Sequence, residues 1–226
     1  MRQIILDTET TGFRPGGIVS LAAIEMVDGE LTGAFAHYHI NPKMPVDPGA
    51  VKVHGLTDEY LATCPTFSDI IEPIDNFLGA SPIIAHNAPF DMGFLEAEYR
   101  RESELSGFAW RLVNPVRCTY SKAEVQRGRG KGRNTLDTLT AEYKVQNFRG
   151  DGRHGALVDA LTLFGVYRAL WGAEPLSLVQ SQLDHFLTKG FGVHGSFKCT
   201  GPGSPDVPSS AQADPSGVTA DVRAVG

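Results

Sequence analysis

Three consecutive apolar residues, Ile4-Ile5-Leu6, running into a polar exit through Thr10-Thr11-Gly12, predict a short buried strand over residues 3–7. Two longer runs rich in β-formers, residues 18–27 and 34–40, flank Asp28-Gly29-Glu30, a good hairpin turn, so an antiparallel meander is expected. Residues 41–57 hold turn-prone Pro and Gly residues besides Asp47 and read as a loop crossing the surface. The pattern then changes. Phe67, Ile70, Ile71, Ile74, Phe77 and Leu78 recur at helical spacing, with Thr66 or Ser68 as caps, and predict an amphipathic helix over 67–78. After Ser81-Pro82, Ile83-Ile84-Ala85 predicts another buried strand ending at His86-Asn87. Asn87 then caps a helix whose stripe of Phe90, Phe94, Leu95 and Tyr99 runs to about Arg101. Further helices are predicted at 118–126, 135–143 (Asn134 or Thr135 capping) and 155–170. The order β-β-β-α-β-α followed by helices places the chain in the α/β class, a mixed sheet with helices packed against it.

Past Pro175 one more amphipathic piece is expected at 176–187, and from Gly190 onward Gly, Pro and Ser dominate while large apolar residues nearly vanish. The expected division is a folded domain over 1–174, a short helical segment over 175–189 and a disordered tail over 190–226. At 226 residues the chain suits one α/β domain rather than two. A 42% hydrophobic and 20% charged composition is that of a soluble globular protein. No apolar run approaches the roughly 18 residues that would span a bilayer, and Asp7 and Glu9 interrupt the N-terminal apolar stretch, so no membrane and a cytoplasmic location are expected. Cys64, Cys118 and Cys199 are an odd, scattered set without metal-ligand spacing or a disulfide framework. The net charge of −6 argues against a large basic surface for stable nucleic-acid binding. It leaves room for a nucleic-acid enzyme held on its substrate by a partner, with cations supplying positive charge beside the phosphate.

The acids carry the chemistry. Asp7 and Glu9 stand two apart on a strand, so their carboxylates leave the same face. Such a pair raises one another's pKa, and Mg²⁺ or Mn²⁺ would remove the conflict; an ordinary strand end also carries acids. Asp91, in the first turn of its helix, is favoured by the helix dipole whether or not it has a function. Asp159 falls inside an apolar helix, where an acid needs partners. His154, five residues earlier and about 140° away on an ideal helix, is expected on the preceding loop, where Gly152 and Gly155 allow movement.

Three segments, Asp7-Thr8-Glu9-Thr10-Thr11-Gly12, His86-Asn87-Ala88-Pro89-Phe90-Asp91 and His154-Gly155-Ala156-Leu157-Val158-Asp159, resemble the exonuclease motifs of the DEDD superfamily, histidine subtype, in that order. Residues 53–59 and 134–139 are similar to segments of epsilon proofreading subunits of bacterial DNA polymerase III, and the resemblance covers roughly residues 1 to 172. It implies a ribonuclease H-like fold with a central mixed five-stranded sheet and two-metal hydrolysis. Asp7 would bridge both Mg²⁺ or Mn²⁺ ions, Glu9 and Asp159 would share one, Asp91 would serve the other, and His154 would be the general base. Thr10, Gly12, Phe13 and His54 are implied as contacts to the terminal nucleotide, completed by Asn87 and Phe90 of the second motif. Phe13 fits both base stacking and ordinary core packing.

The implied activity is 3′ to 5′ exonucleolytic removal of nucleoside 5′-monophosphates from single-stranded or mispaired DNA ends. The implied partners are the DNA 3′ end, the polymerase III alpha subunit and the sliding clamp. The rival reading is an RNA-processing exoribonuclease of the same superfamily, which the motifs do not separate. A non-catalytic clamp-associated protein is opposed by the intact acids and His154. Three features depart from or add to the pattern. Gly49 stands where some relatives place a glutamate, and the short Gly/Pro/Ser-rich tail weighs against polymerase docking. Gln182-Leu183-Asp184-His185-Phe186 resembles a clamp-binding peptide with His185 in place of the usual leucine. The only concentrated basic run, 127–133, is interleaved with glycine and fits either a phosphate contact or a solvated loop.

Overall fold

The computed structural model describes residues 1–12, 15–149, 152–172 and 192–193. In chain order the elements are β1 (Arg2–Thr10), β2 (Ile18–Val27), β3 (Glu30–His39), α1 (Pro48–His54), α2 (Asp58–Leu61), α3 (Phe67–Leu78), β4 (Ile83–Ala85), α4 (Pro89–Ser106), β5 (Val116–Cys118), α5 (Thr119–Arg127), α6 (Leu136–Glu142), α7 (Ala156–Trp171) and the two-residue β6 (Gly192–Val193). The sheet order is β5-β4-β1-β2-β3-β6. β1, β2 and β3 form the expected meander, turning through Asp28 and Gly29, both at positive φ. β4 and β5 run parallel to β1. The mixed five-stranded sheet of the resemblance is therefore present, with β6 pairing in parallel beside β3 inside a stretch expected to be disordered.

Period-two alternation along β1 builds the two faces. Ile5 faces one way with Ala22, Ile24 and Ile84 and packs against α7, whose Leu157, Leu161 and Phe164 are buried. Ile4 and Leu6 face the other way with Leu21, Ala23 and Ile83, against α3 and α4. Each such Leu, Ile or Phe contributes roughly 1.5–3 kcal/mol of burial. Helices cover both faces, which is why a strand can be this apolar along its whole length. Among the described residues no helix is long and apolar enough to cross a membrane.

The helix predicted over 67–78 appears with those bounds, closed by a Thr66–Asp69 capping box. Elsewhere tertiary context moves the boundaries. β1 runs to Thr10, so Glu9 lies within the strand. Within 41–57, read as loop, α1 forms because Asp47 accepts from Gly49 N–H, Pro48 occupies the first turn, and Gly55 closes it in the left-handed region. Asn87 does not cap α4; it adopts φ 57, and the helix starts from Ala88 and extends to Ser106. The fifth strand, β5, has three residues and only one is partly buried, too little pattern to read. Cys118 is a free thiol, and Cys199 lies outside the described residues. The 176–187 helix, the 182–186 peptide and the rest of the 190–226 tail lie outside the described residues.

Candidate active site

Because β4 pairs with β1 in parallel, Ile4 to Ile83 and Ile5 to Ile84, both strands leave the sheet at the same end. That puts Asp7 and Glu9 beside the His86–Asp91 turn, at the carboxyl ends of the strands where open α/β sheets form crevices. Alternation then sorts the side chains. Asp7 and Glu9 share Ile5's parity and point toward α7, where Asp159 sits in the first turn. Thr8 has the opposite parity and meets Asp91 in the first turn of α4, donating to Asp91 Oδ1 from its backbone at 3.1 Å and from its hydroxyl at 2.8 Å.

Asp91 and Asp159 are each 3% exposed and Glu9 is buried. Four carboxylates crowd one end of the sheet. Burial, then Asp159, Asp91 and Glu9, push the Asp7 carboxyl well above the ordinary range, with Arg149 partly relieving it. Burial raises Asp91 to about 7 against the lowering effect of the Thr8 bonds. Glu9, His154 and Asp159 bring ligand atoms within 4.8 Å of one another. Carboxylate oxygens converging in this way, and pushing one another up, are what hard divalent cations bind.

His154 lies on the loop before α7, as expected. Its backbone N–H donates to Val53 O at 3.0 Å, pinning the loop to α1. Its Nδ1 is 3.1 Å from Asp159 Oδ2, so Nδ1 faces the carboxylate and Nε2 is turned away from it. With the side chain 41% exposed, that nitrogen can reach solvent.

A cavity of about 560 Å³ opens over Asp7, His154 and Asp159. Asn87 lines it; Thr10, Gly12, His54 and Phe90 do not. Thr10 instead donates to Gly12 O at 3.0 Å, His54 is buried and accepts at Nδ1 from Leu56 N–H, and Phe90 packs against Phe94. Phe13 lies outside the described residues. The lining residues without a role from sequence include His86, Asp137 and Arg149. His86 donates to or accepts from Thr119 Oγ1 at 2.9 Å, and burial pushes it down to about 4, partly offset by the Asn134 backbone and Asp137. Asp137 and Arg149 form an ion pair at 2.6 Å across the cavity wall. His86 and Asp137 fall within the motif-like segments 86–91 and 134–139, which give neither a role. Arg149 carried no signal beyond being a cation five residues before His154.

The sequence profile of the family described as "Exonuclease" matches residues 4–167. The chain is 38% identical over 180 residues to the DNA polymerase III subunit epsilon of Pasteurella multocida, covering 76% of this chain and 69% of that one. It is 36% identical over 180 residues to that subunit of Escherichia coli (76% and 72%) and 39% over 177 residues to that of Rickettsia prowazekii (77% and 76%). Among solved structures it resembles exonuclease X in complex with 5′ overhanging duplex DNA, at TM-score 0.55 and 22% identity over 80% of this chain and 99% of that one. It also resembles E. coli exonuclease I in complex with a dT13 oligonucleotide, at TM-score 0.60 and 16% identity over 82% of this chain and 43% of that longer one. At such identities the structural likeness concerns the fold.

Proposed function

The chain belongs to the exonuclease family, and we propose from that premise that it is a DNA-directed 3′ to 5′ exonuclease acting as a proofreading epsilon-like subunit. It removes nucleoside 5′-monophosphates from single-stranded or mispaired ends. The observation that carries this reading is the crowding of Asp7, Glu9, Asp91 and Asp159 at one end of the sheet with His154 beside them. The epsilon subunits among its relatives, at up to 39% identity, favour DNA over RNA as the substrate and a polymerase III alpha subunit as partner. The net charge of −6 fits a subunit held on DNA by that partner, in the cytoplasm.

The donor set suits two hard divalent cations, Mg²⁺ or Mn²⁺. Asp7 would hold both, Glu9 and Asp159 one, and Asp91 the other. Bound there, such ions supply Lewis acidity at the phosphate under attack. The protein's own groups do the rest. His154 Nε2 takes the proton of the attacking water, with Nδ1 turned toward Asp159 Oδ2 at 3.1 Å. Thr8 fixes Asp91 against rotation. Asn87, on the cavity wall, contacts the terminal nucleotide.

The test offers 5′-labelled single-stranded DNA, a mismatched primer-template and RNA in parallel, with Mg²⁺, with Mn²⁺ and with chelator. DNA ladders shortening from the 3′ end, abolished by chelator, are expected. Preferential digestion of the RNA would replace this reading with the exoribonuclease one. No digestion of any substrate would remove both.

A further inference from the structure

The Arg149 side chain is 7% exposed, and each of its three guanidinium nitrogens donates to an acid. Nε and Nη2 donate to the two oxygens of Asp159 at 2.6 and 2.8 Å, and Nη1 donates to Asp137 Oδ1 at 2.6 Å. A bidentate guanidinium–carboxylate pair is the strongest form of this contact. It occupies both oxygens of an acid that the proposed function assigns to a cation. Two positive groups thus have a claim on Asp159, and the guanidinium cannot withdraw by losing its proton. It can withdraw only by moving.

A second acid anchors that movement. Asp137, at the start of α6, is 61% exposed on the wall of the cavity over Asp7 and Asp159, and it holds one edge of Arg149 independently of Asp159. An arginine released from Asp159 yet tethered by Asp137 turns its remaining fork, Nε and Nη2, into that cavity. A planar fork of this kind matches a phosphate.

Resting on the nuclease reading above, we propose that Arg149 is an exchangeable guanidinium: it holds Asp159 until a divalent cation takes that carboxylate, then turns on its Asp137 tether to bind a phosphate of the strand end. Arg149 thereby couples cation loading to substrate binding, and it is a substrate-positioning residue that no motif contains.

The test uses the full chain and two readouts, Mn²⁺ affinity by calorimetry without nucleic acid and kcat and KM on single-stranded DNA. Arg149→Ala removes the competitor, and Arg149→Met does so while keeping the buried stem should the alanine variant fold poorly. Both should bind Mn²⁺ roughly tenfold or more tightly, with KM raised by a similar factor and kcat changed less, as expected for a charge-assisted pair lost on each side of the exchange. Arg149→Lys should return Mn²⁺ affinity toward wild type without restoring KM, because an ammonium is not a fork. Asp137→Asn should raise KM while leaving Mn²⁺ affinity no tighter than wild type. Mn²⁺ affinity unchanged or weakened in both Arg149→Ala and Arg149→Met, or an unmoved KM, overturns the proposal. The calorimetric arm judges Arg149 alone. A wild-type protein that digests no DNA with either metal fails the nuclease reading instead.

Discussion

Thr8 donates twice to one oxygen of Asp91, from its backbone N–H at 3.1 Å and from its hydroxyl at 2.8 Å. The bond ties the central strand to the first turn of α4, so the position of Asp91 is set by the sheet rather than by its own helix. Thr8→Val keeps the shape and the backbone bond but removes the hydroxyl from a buried acceptor. A loss of about 1–3 kcal/mol is expected in urea unfolding, together with a fall in nuclease rate. Unchanged stability and rate in Thr8→Val would mean that Asp91 is held by something else.

The raised carboxyls make the effect of metal depend on pH. Asp91 goes from an ordinary 3.8 to about 7 in the folded protein, and Asp7 is also raised. Between these values the folded state binds more protons than the unfolded one. Their contribution to stability is therefore complete below about 4 and lost as pH rises through about 7. His86, held at about 4 rather than 6.5, pulls the other way between those two values, but it cancels in the difference between melts with and without metal. A divalent cation has to displace protons at low pH and meets bare carboxylates at high pH. The Tm increment from Mn²⁺ should therefore be larger at about pH 8 than at about pH 6. A hundredfold excess over Kd stabilises by about 2.7 kcal/mol where binding is complete. Asp91→Asn should flatten the trend.

The legible parts of this molecule are those with period or motif. α3 appears with its predicted bounds because six apolar residues and a Thr66 cap agree on them. α1 was missed because its seven residues are defined by Asp47, Pro48 and Gly55, the same residue types that mark a loop. β5 takes its place by pairing with β4, which no local pattern in three largely exposed residues announces. At the site, the four acids and His154 were readable because strand parity and motif order fix them. Arg149 was not: a lone cation between Phe148 and Gly150 acquires meaning only when the fold lays it across Asp159 and Asp137.

Asp7 and His154 should separate by mechanism. Asp7→Ala removes the carboxylate assigned to both cations and should abolish digestion with either metal. In chelator it should melt no lower than wild type, because burial and then three neighbouring acids disfavour the charge it deletes. His154→Ala should keep metal-dependent digestion at a rate reduced by roughly 10² to 10⁴, the usual worth of a general base. Measurable activity in Asp7→Ala, or wild-type activity in His154→Ala, would reverse the assignments.

Gly55 tests whether the loop that carries His154 is placed by α1. Gly55 sits at φ 78, its N–H donating to Val51 O, and an added Cβ would fall 2.5 Å from Arg153 Nη1 and 3.2 Å from Arg153 Cδ. The next residue is His154, whose N–H is bonded to Val53 O in the same helix. Gly55→Ala therefore has two expected effects, a left-handed backbone costing roughly 1–2 kcal/mol and a displacement of the Arg153 side chain beside His154. Adding Arg153→Ala removes that side chain and leaves the backbone cost in place. Nuclease rate should fall in Gly55→Ala and recover in Gly55→Ala/Arg153→Ala, while the Tm deficit persists in both. If rate and Tm instead move together in the single and double variants, the loss is one of folding, and His154 is positioned by its own loop and not by the end of α1.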